Sequence, residues 1–285
     1  MTGAAGMLGR DVQRAGERAG HELIALSRAE LDIGDRLAVE GALAQTQPQA
    51  VLNAAAWTDV DGAESDRDGA FAVNERGAGN LARAAAGVGV ALLHVSSDYV
   101  FAGEPPSGPT GAPRAYVESD RTGPRSAYGE SKLAGERLVL AASPRHLVVR
   151  SAWLFGTGGR NFAATMLTLA GERQSVRVVD DQVGCPTWTG HLAPALIGLL
   201  ERDVTGLVHL AGAGHVSWHG FAREIFRQAE LECDVERTTS AEFTRPATRP
   251  GWSALESERD DVIALPPWQD GLAGFLAARA GMMRA

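Results

Sequence analysis

Short apolar runs alternate with helix-period segments through the first half of the chain, and that alternation decides the fold class. Residues 22–26, 50–54, 90–95 and 146–150 read as buried strands, while 8–18, 35–45, 70–86 and 128–141 read as helices. Strands joined by helical crossovers pair in parallel, and a parallel sheet needs helices over both faces. The expectation is an α/β fold: a doubly wound parallel sheet over residues 1–152, with a smaller α/β domain over 153–285. Segments near 182–212 are expected to return to the first domain. Beyond residue 152 the pattern loosens into helical stretches at 161–170, 191–200, 217–228 and 269–278, with short strands at 176–179 and 207–210. The Pro- and Gly-rich stretch 102–124 reads as a long surface loop, either a lid or a segment that touches substrate.

Three glycines, Gly3, Gly6 and Gly9, punctuate Thr2-Gly3-Ala4-Ala5-Gly6-Met7-Leu8-Gly9, where a loop turns into a helix. Small residues let the backbone approach a pyrophosphate, and the N–H groups at a helix start favour its charge. Alone the spacing is weak, because the chain has 34 glycines. Its confirming context is a strand leading into the loop, yet Met1 abuts the turn directly. A sheet of this kind without its first strand loses a central, doubly covered element. At roughly 25 cal/mol per Å2, that burial rivals a domain's whole net stability of ~5–15 kcal/mol. The expectation is that the first strand lies upstream, with Met1 standing where a valine ends it, as a misread GTG codon would produce. After the second apolar run comes Leu26-Ser27-Arg28. An acid there would hold the 2′-hydroxyl of NAD. Ser27 removes that acid and Arg28 can pair with a 2′-phosphate, which favours NADPH over NADH.

A single lysine, Lys132, follows Tyr128 by four residues, and the other 26 of the 27 basic residues (27 − 1) are arginine. Arginine does not replace a compact ammonium beneath a phenol. With 3 tyrosines in 285 residues, chance places one four positions before a lysine about 1% of the time (3/285). Residues at i and i+4 share a helix face. The ammonium is expected to lower the phenol's pKa, so that Tyr128 exchanges a proton with a carbonyl oxygen near neutral pH. The run His94-Val95-Ser96-Ser97-Asp98-Tyr99 ends a buried strand, at the carboxyl edge where open α/β sheets bind ligands. Its serines offer a hydroxyl to hold that oxygen.

Bulk properties exclude several functions. A net charge of −8 without a basic cluster argues against a nucleic-acid partner. No apolar run approaches the ~18 residues that cross a bilayer, and no secretory leader precedes the first motif. Cys185 and Cys233 lie far apart without metal-type spacing, as reduced thiols of a cytoplasmic protein would. Abundant Ala, Gly and Arg fit a GC-rich genome, which by itself also makes lysine scarce.

The runs TGAAGMLG (2–9), NAAAWTDVDGAESD (53–66), HVSSDYVFAG (94–103), YGESKLAGE (128–136), VVDDQVGCPTWT (178–189) and RPATRPGWSAL (245–255) carry a resemblance that spans the chain in order. In them the chain resembles the extended short-chain dehydrogenase/reductases, and within these the dTDP-4-dehydrorhamnose reductase family. The resemblance implies a Rossmann-like sheet beside a substrate-binding domain. It also implies NAD(P)H-dependent reduction of the C4 ketone of dTDP-6-deoxy-L-lyxo-4-hexulose to dTDP-L-rhamnose. Ser97 would polarise the carbonyl, with Ser96 as the substitute, and Tyr128 would donate the proton. Lys132 would also hold the nicotinamide ribose. Gly6, Met7 and Leu8 would line the pyrophosphate, Asp32 and Ile33 the adenine side, and Ala56, Trp57 and Thr58 the cofactor further along. Asp98 and Trp153 would touch the sugar, and Arg249, ahead of Arg245, the nucleotide diphosphate. Some relatives associate with magnesium, but no matching carboxylate cluster stands out here, and monomer and homodimer are both open. Three departures are visible: the absent first strand, a longer 102–124 loop, and Trp57 and Trp188 where smaller rings are usual. Two neighbouring functions compete. A nucleotide-sugar dehydratase would read Asp-Glu where this chain has Asp98-Tyr99. A non-catalytic regulatory subunit like that of methionine adenosyltransferase would use the same pocket for binding alone.

Overall fold

The computed structural model describes residues 1–284. Its central sheet is parallel throughout, in the order β1 (Ala50–Asn53), β2 (Ala91–Ser97), β3 (Leu147–Ser151) and β5 (Gly206–His209). Successive strand residues point to opposite faces, and the core divides accordingly. Leu52, Leu93 and Val149 pack with Leu8 and Val12 of α1 (Met7–Arg18) and Leu192, Leu196 and Leu199 of α6 (Thr189–Glu201). Their neighbours Val51, Leu92 and Val148 pack on the other face. There they meet α2 (Arg36–Thr46), α3 (Ala78–Gly87) and α4 (Ala127–Ala142) through Val39, Leu43, Leu81, Ala85 and Val139. This is a doubly wound α/β architecture.

A second, smaller core lies beyond residue 152. There β4 (Ser175–Val179) pairs in parallel with β6 (Asp234–Thr238). Phe155, Met166, Phe221, Ile225, Trp268 and Phe275 fill the space between this ribbon and α5 (Phe162–Ala170), α7 (Trp218–Gln228) and α8 (Trp268–Arg284). β6 escaped sequence reading because Asp-Val-Glu-Arg-Thr carries charge on both faces, as an edge strand does.

The structure corrects three expectations about elements. Residues 22–26 form no strand; only Leu26 makes a bridge, to Thr2, which also bridges Asn53. The physical reason is that strand backbone pairs only where a neighbour exists, and here the neighbour is Met1-Thr2. Below that point a cavity of about 530 Å3 opens between the 21–26 segment and β1, lined by Leu23, Ile24, Leu26, Leu43 and Val51. The Met1 ammonium donates to the Ile24 carbonyl at 2.6 Å, and burial lowers its pKa. The second correction concerns 70–86, which divides into Arg67–Phe71, a wider π turn over Ala72–Gly77, and α3. The third is that β2 runs to Ser97, so that residue still pairs, with Ser151.

The 102–124 loop is fastened at its base. Tyr116 stacks on Phe101 at 4.0 Å and bridges Leu255, while Arg114 grips Asp120 with two bonds of 2.6 Å.

Candidate active site

In a parallel sheet every strand ends on the same edge, so the loops after Thr2, Leu26, Asn53 and Ser97 meet there. Gly3 has φ +73°, and a Cβ on it would stand 2.5 Å from the Ala54 carbonyl carbon, so only glycine lets this turn press on the next loop. Gly6 gives α1 no side-chain cap. The N–H groups of its first turn are thereby left to an anionic ligand, which fits a dinucleotide pyrophosphate. Ala56, Trp57 and Thr58 lie on the adjoining loop, pinned by Asn74 from the π turn. Asn74 Oδ1 accepts from the Trp57 N–H at 2.9 Å, and its Nδ2 donates to Ser131 Oγ at 2.9 Å.

The expected adenine side differs in detail. The Ile33 side chain is buried against Gly77, in the core, and Asp32 turns its carboxylate to the Gly34 N–H at 2.9 Å. Arg28 is exposed, but Glu30 accepts from the Ser27 N–H at 2.7 Å. A cation and a carboxylate thus flank the expected 2′ position, which weakens the charge argument for NADPH.

Ser97, Tyr128 and Lys132 come together at the end of β2. Ser126 caps α4 by accepting from the Gly129 N–H at 3.1 Å. Gly129 lets the helix close on the 98–100 turn, because a Cβ there would stand 2.2 Å from the Tyr99 carbonyl oxygen. One helical turn then aims both side chains at the same strand end. The Ser97 hydroxyl lies close enough to act on the Tyr128 phenol, whose ring meets Tyr99 edge-on at 5.4 Å. Lys132, 1% exposed, donates from Nζ to the Val95 carbonyl at 2.7 Å. Ser97 Oγ also donates to Asp98 Oδ1 at 2.9 Å, whereas Ser96 Oγ is buried without a partner. The hydroxyl that meets Tyr128 is therefore that of Ser97.

The electrostatics reverse one expectation. Burial pushes the Tyr128 phenol up to about 12; the neighbouring Ser97 hydroxyl opposes the rise and Asp98 adds to it. Lys132 does not offset this, because its ammonium is turned to the sheet. Burial lowers Lys132 itself to about 8 against the opposing pull of Glu136. Asp98 is raised to about 6 by burial, with the nearby Ser253 hydroxyl and the Ser97 hydrogen bond opposing. A lysine whose folded value lies below its unfolded 10.5 penalises folding fully below about 8, and the penalty fades as pH rises to 10.5. Lys132→Met is accordingly expected to raise the melting temperature below pH 8, with the gain shrinking toward pH 10.5. Melting curves across that range check the sign.

On the substrate side, Trp153 sits at φ +47° and stacks on Trp218 at 3.5 Å, with Nε1 donating to Ser253 Oγ at 3.1 Å. A left-handed tryptophan is strained, and such strain gathers at functional sites. Arg249 Nη2 donates to Asp61 at 2.9 Å, while Nη1 is buried without a partner, as is Asp98 Oδ2. Asp61 also accepts from Arg245 and the Ala247 N–H. Although burial opposes it, the Ala247 bond and both arginines hold this carboxyl below the usual range. Asp61 and Asn74 escaped sequence reading. Asp61 stood inside a matched run, but nothing linear ties it to a residue 188 positions away. No group of three or more His, Cys, Asp or Glu among the described residues is placed to hold a metal.

The doubly wound sheet, the glycine loop and the Ser-Tyr-Lys convergence define an extended short-chain dehydrogenase/reductase. The family model described as "RmlD substrate binding domain" matches residues 1–280. The dTDP-4-dehydrorhamnose reductase of Mycobacterium tuberculosis is 44% identical, over 98% of this chain and 92% of its own length. That of Streptomyces griseus is 42% identical, over 99% and 93%. Among solved structures, the Clostridium acetobutylicum dTDP-4-dehydrorhamnose reductase aligns with a TM-score of 0.93 and 38% identity, covering 98% of both chains. The Bacillus anthracis enzyme in complex with NADP aligns with a TM-score of 0.92 and 33% identity, covering 97% of both. The chain belongs to the dTDP-4-dehydrorhamnose reductase family.

Proposed function

We propose that this protein reduces the C4 ketone of dTDP-6-deoxy-L-lyxo-4-hexulose to dTDP-L-rhamnose, with NADPH as reductant and NADH as the weaker alternative. The observation that carries this reading is the convergence of Ser97, Tyr128 and Lys132 on the carboxyl end of β2, beside the uncapped start of α1. NADPH, when bound, supplies the hydride. The chain's own residues do the rest. Ser97 Oγ hydrogen-bonds the C4 oxygen, and Tyr128 Oη donates the proton to it. A phenol at about 12 stays protonated at neutral pH, as a donor to a developing alkoxide must. Lys132 orients the nicotinamide ribose by donating from Nζ. Gly3, Gly6, Met7, Leu8 and Gly9 hold the pyrophosphate, with Arg28, Asp32 and Ile33 on the adenine side and Ala56, Trp57 and Thr58 further along. Asp98 Oδ2 accepts from a sugar hydroxyl, Trp153 faces the sugar, and Arg249 Nη1 donates to the diphosphate.

Two free cysteines fit a reducing, cytoplasmic setting for the reaction, and the protein acts in it as a monomer or homodimer. The test is direct. Purified protein is mixed with NADPH and the dTDP-hexulose while absorbance of the reduced nicotinamide is followed. Loss of absorbance that depends on the sugar supports the reading. No loss, at protein concentrations where NADPH binds, removes it.

A further inference from the structure

Asp61 ties the loop after β1, which carries Ala56, Trp57 and Thr58, to a segment nearly two hundred positions further on. It stands just before the short helix Gly62–Ser65. Its Oδ1 accepts from the Ala247 N–H at 3.2 Å, and its Oδ2 from Arg249 Nη2 at 2.9 Å and Arg245 Nη1 at 3.4 Å. The same segment is fastened again beyond Arg249. The Trp252 N–H donates to the Gly103 carbonyl at 2.9 Å, and a Cβ on Gly103 would stand 2.7 Å from Pro250 Cα. A guanidinium is a rigid planar fork, so fixing one tine fixes the other. In Arg249 that other tine, Nη1, is buried and has no partner. A buried charged donor without an acceptor is costly, and a ligand oxygen is its natural complement. The Arg249 charge also reaches the Tyr99 phenol, opposing the rise in pKa that burial causes there. Tyr99 in turn meets Tyr128 edge-on at 5.4 Å, so one aromatic ring separates Arg249 from the proton donor.

We infer that Asp61 is a positioning residue for the substrate: by holding Nη2 it sets the Arg249 fork and presents Nη1 to the diphosphate of the nucleotide sugar. This rests on the reductase reading, which supplies the diphosphate. The two arginines and one carboxylate carry a net charge of +1 (2 − 1), so the cluster still attracts an anion. Charge and position make opposite forecasts for Asp61→Asn. Removing a negative charge would, by Coulomb attraction alone, tighten binding of a diphosphate. Removing the acceptor for Nη2 instead frees the fork. Asparagine is isosteric, and its oxygen can keep the Ala247 N–H only by turning its own amide donor toward the guanidinium.

Calorimetric titration of the full chain with dTDP, without cofactor or sugar, reads this contact. Asp61→Asn is expected to raise the dTDP dissociation constant about tenfold. NADPH affinity stays at the wild-type value, because Asn74 rather than Asp61 holds the Trp57 backbone. In turnover KM for the sugar rises while kcat changes little, as for a contact made equally in ground and transition states. Arg249→Met gives the same loss of dTDP affinity, and adding Asp61→Asn to it costs nothing more. A carboxylate that merely fastened the 245–249 segment would weaken dTDP in both backgrounds, which overturns the inference, as does unchanged or tighter binding in Asp61→Asn. Should that variant not fold, Arg249→Lys decides. Lysine keeps the charge but has no fork to hold Asp61 and present a second donor at once. A loss equal to that of Arg249→Met supports the role, and wild-type affinity overturns it. Wild-type protein that fails to bind dTDP removes the reductase reading and this inference with it. Bound dTDP that is indifferent to the variants removes this inference alone.

Discussion

Tyr128→Phe is expected to lower kcat by about 10²–10⁴-fold, the usual worth of a positioned general acid, while NADPH binding stays close to wild type. The phenylalanine ring keeps the edge-on contact with Tyr99 and the place on α4, so the fold loses only a hydroxyl that lies beside that of Ser97. No other acid takes over. Ser97 is itself a hydroxyl held by Asp98 and the Tyr99 N–H, and Asp98, raised only to about 6, is largely ionised at neutral pH. Steady-state NADPH oxidation gives kcat, and quenching of intrinsic fluorescence gives the binding constant. Equal losses in both would mean that Tyr128 holds the cofactor rather than moves a proton.

Arg150→Met is expected to cost about 3–5 kcal/mol, because removing one partner leaves the other charge buried and unpaired. Arg150 on β3 and Glu136 on α4 are 4% and 2% exposed and share two hydrogen bonds of 2.9 and 2.7 Å. The guanidinium also lies 5.0 Å over the Phe101 ring and 3.4 Å from His209 Nε2, so methionine loses packing as well as charge. Against a net stability of ~5–15 kcal/mol, the melting temperature should fall by on the order of 10 °C. The double variant Glu136→Met with Arg150→Met should recover most of that loss, since an apolar pair of similar volume often replaces a buried ion pair without penalty. Thermal unfolding of the three proteins checks the cycle. A double variant no more stable than the single would place the effect in packing, not in the orphaned carboxylate.

Sequence and structure agree best where a signal is local. The i to i+4 spacing placed Tyr128 and Lys132 on one helix turn, and the buried runs located β1, β2 and β3 to within two residues. Ser97 over Ser96 followed from the family register and has a physical basis in strand alternation, which turns the two hydroxyls to opposite faces. What stayed hidden depends on long-range pairing. The 22–26 run has strand composition but lacks a neighbour to pair along its length. β6 exists because β4 offers it an edge, and its own charges conceal it. Asp61 reaches Arg249 only through the fold, and the Lys132 ammonium turns to Val95 because the sheet offers a carbonyl there, which no spacing rule encodes.

The central claim is that hydride reaches C4 of the sugar while Tyr128 protonates its oxygen. Turnover with NADPH deuterated at nicotinamide C4 tests it most directly, by locating the label in the purified product. The account predicts one deuterium on C4 of the dTDP-linked sugar, formed at a rate that Tyr128→Phe lowers by about 10²–10⁴-fold. Label absent from that carbon, or arriving there equally fast in the variant, would contradict it.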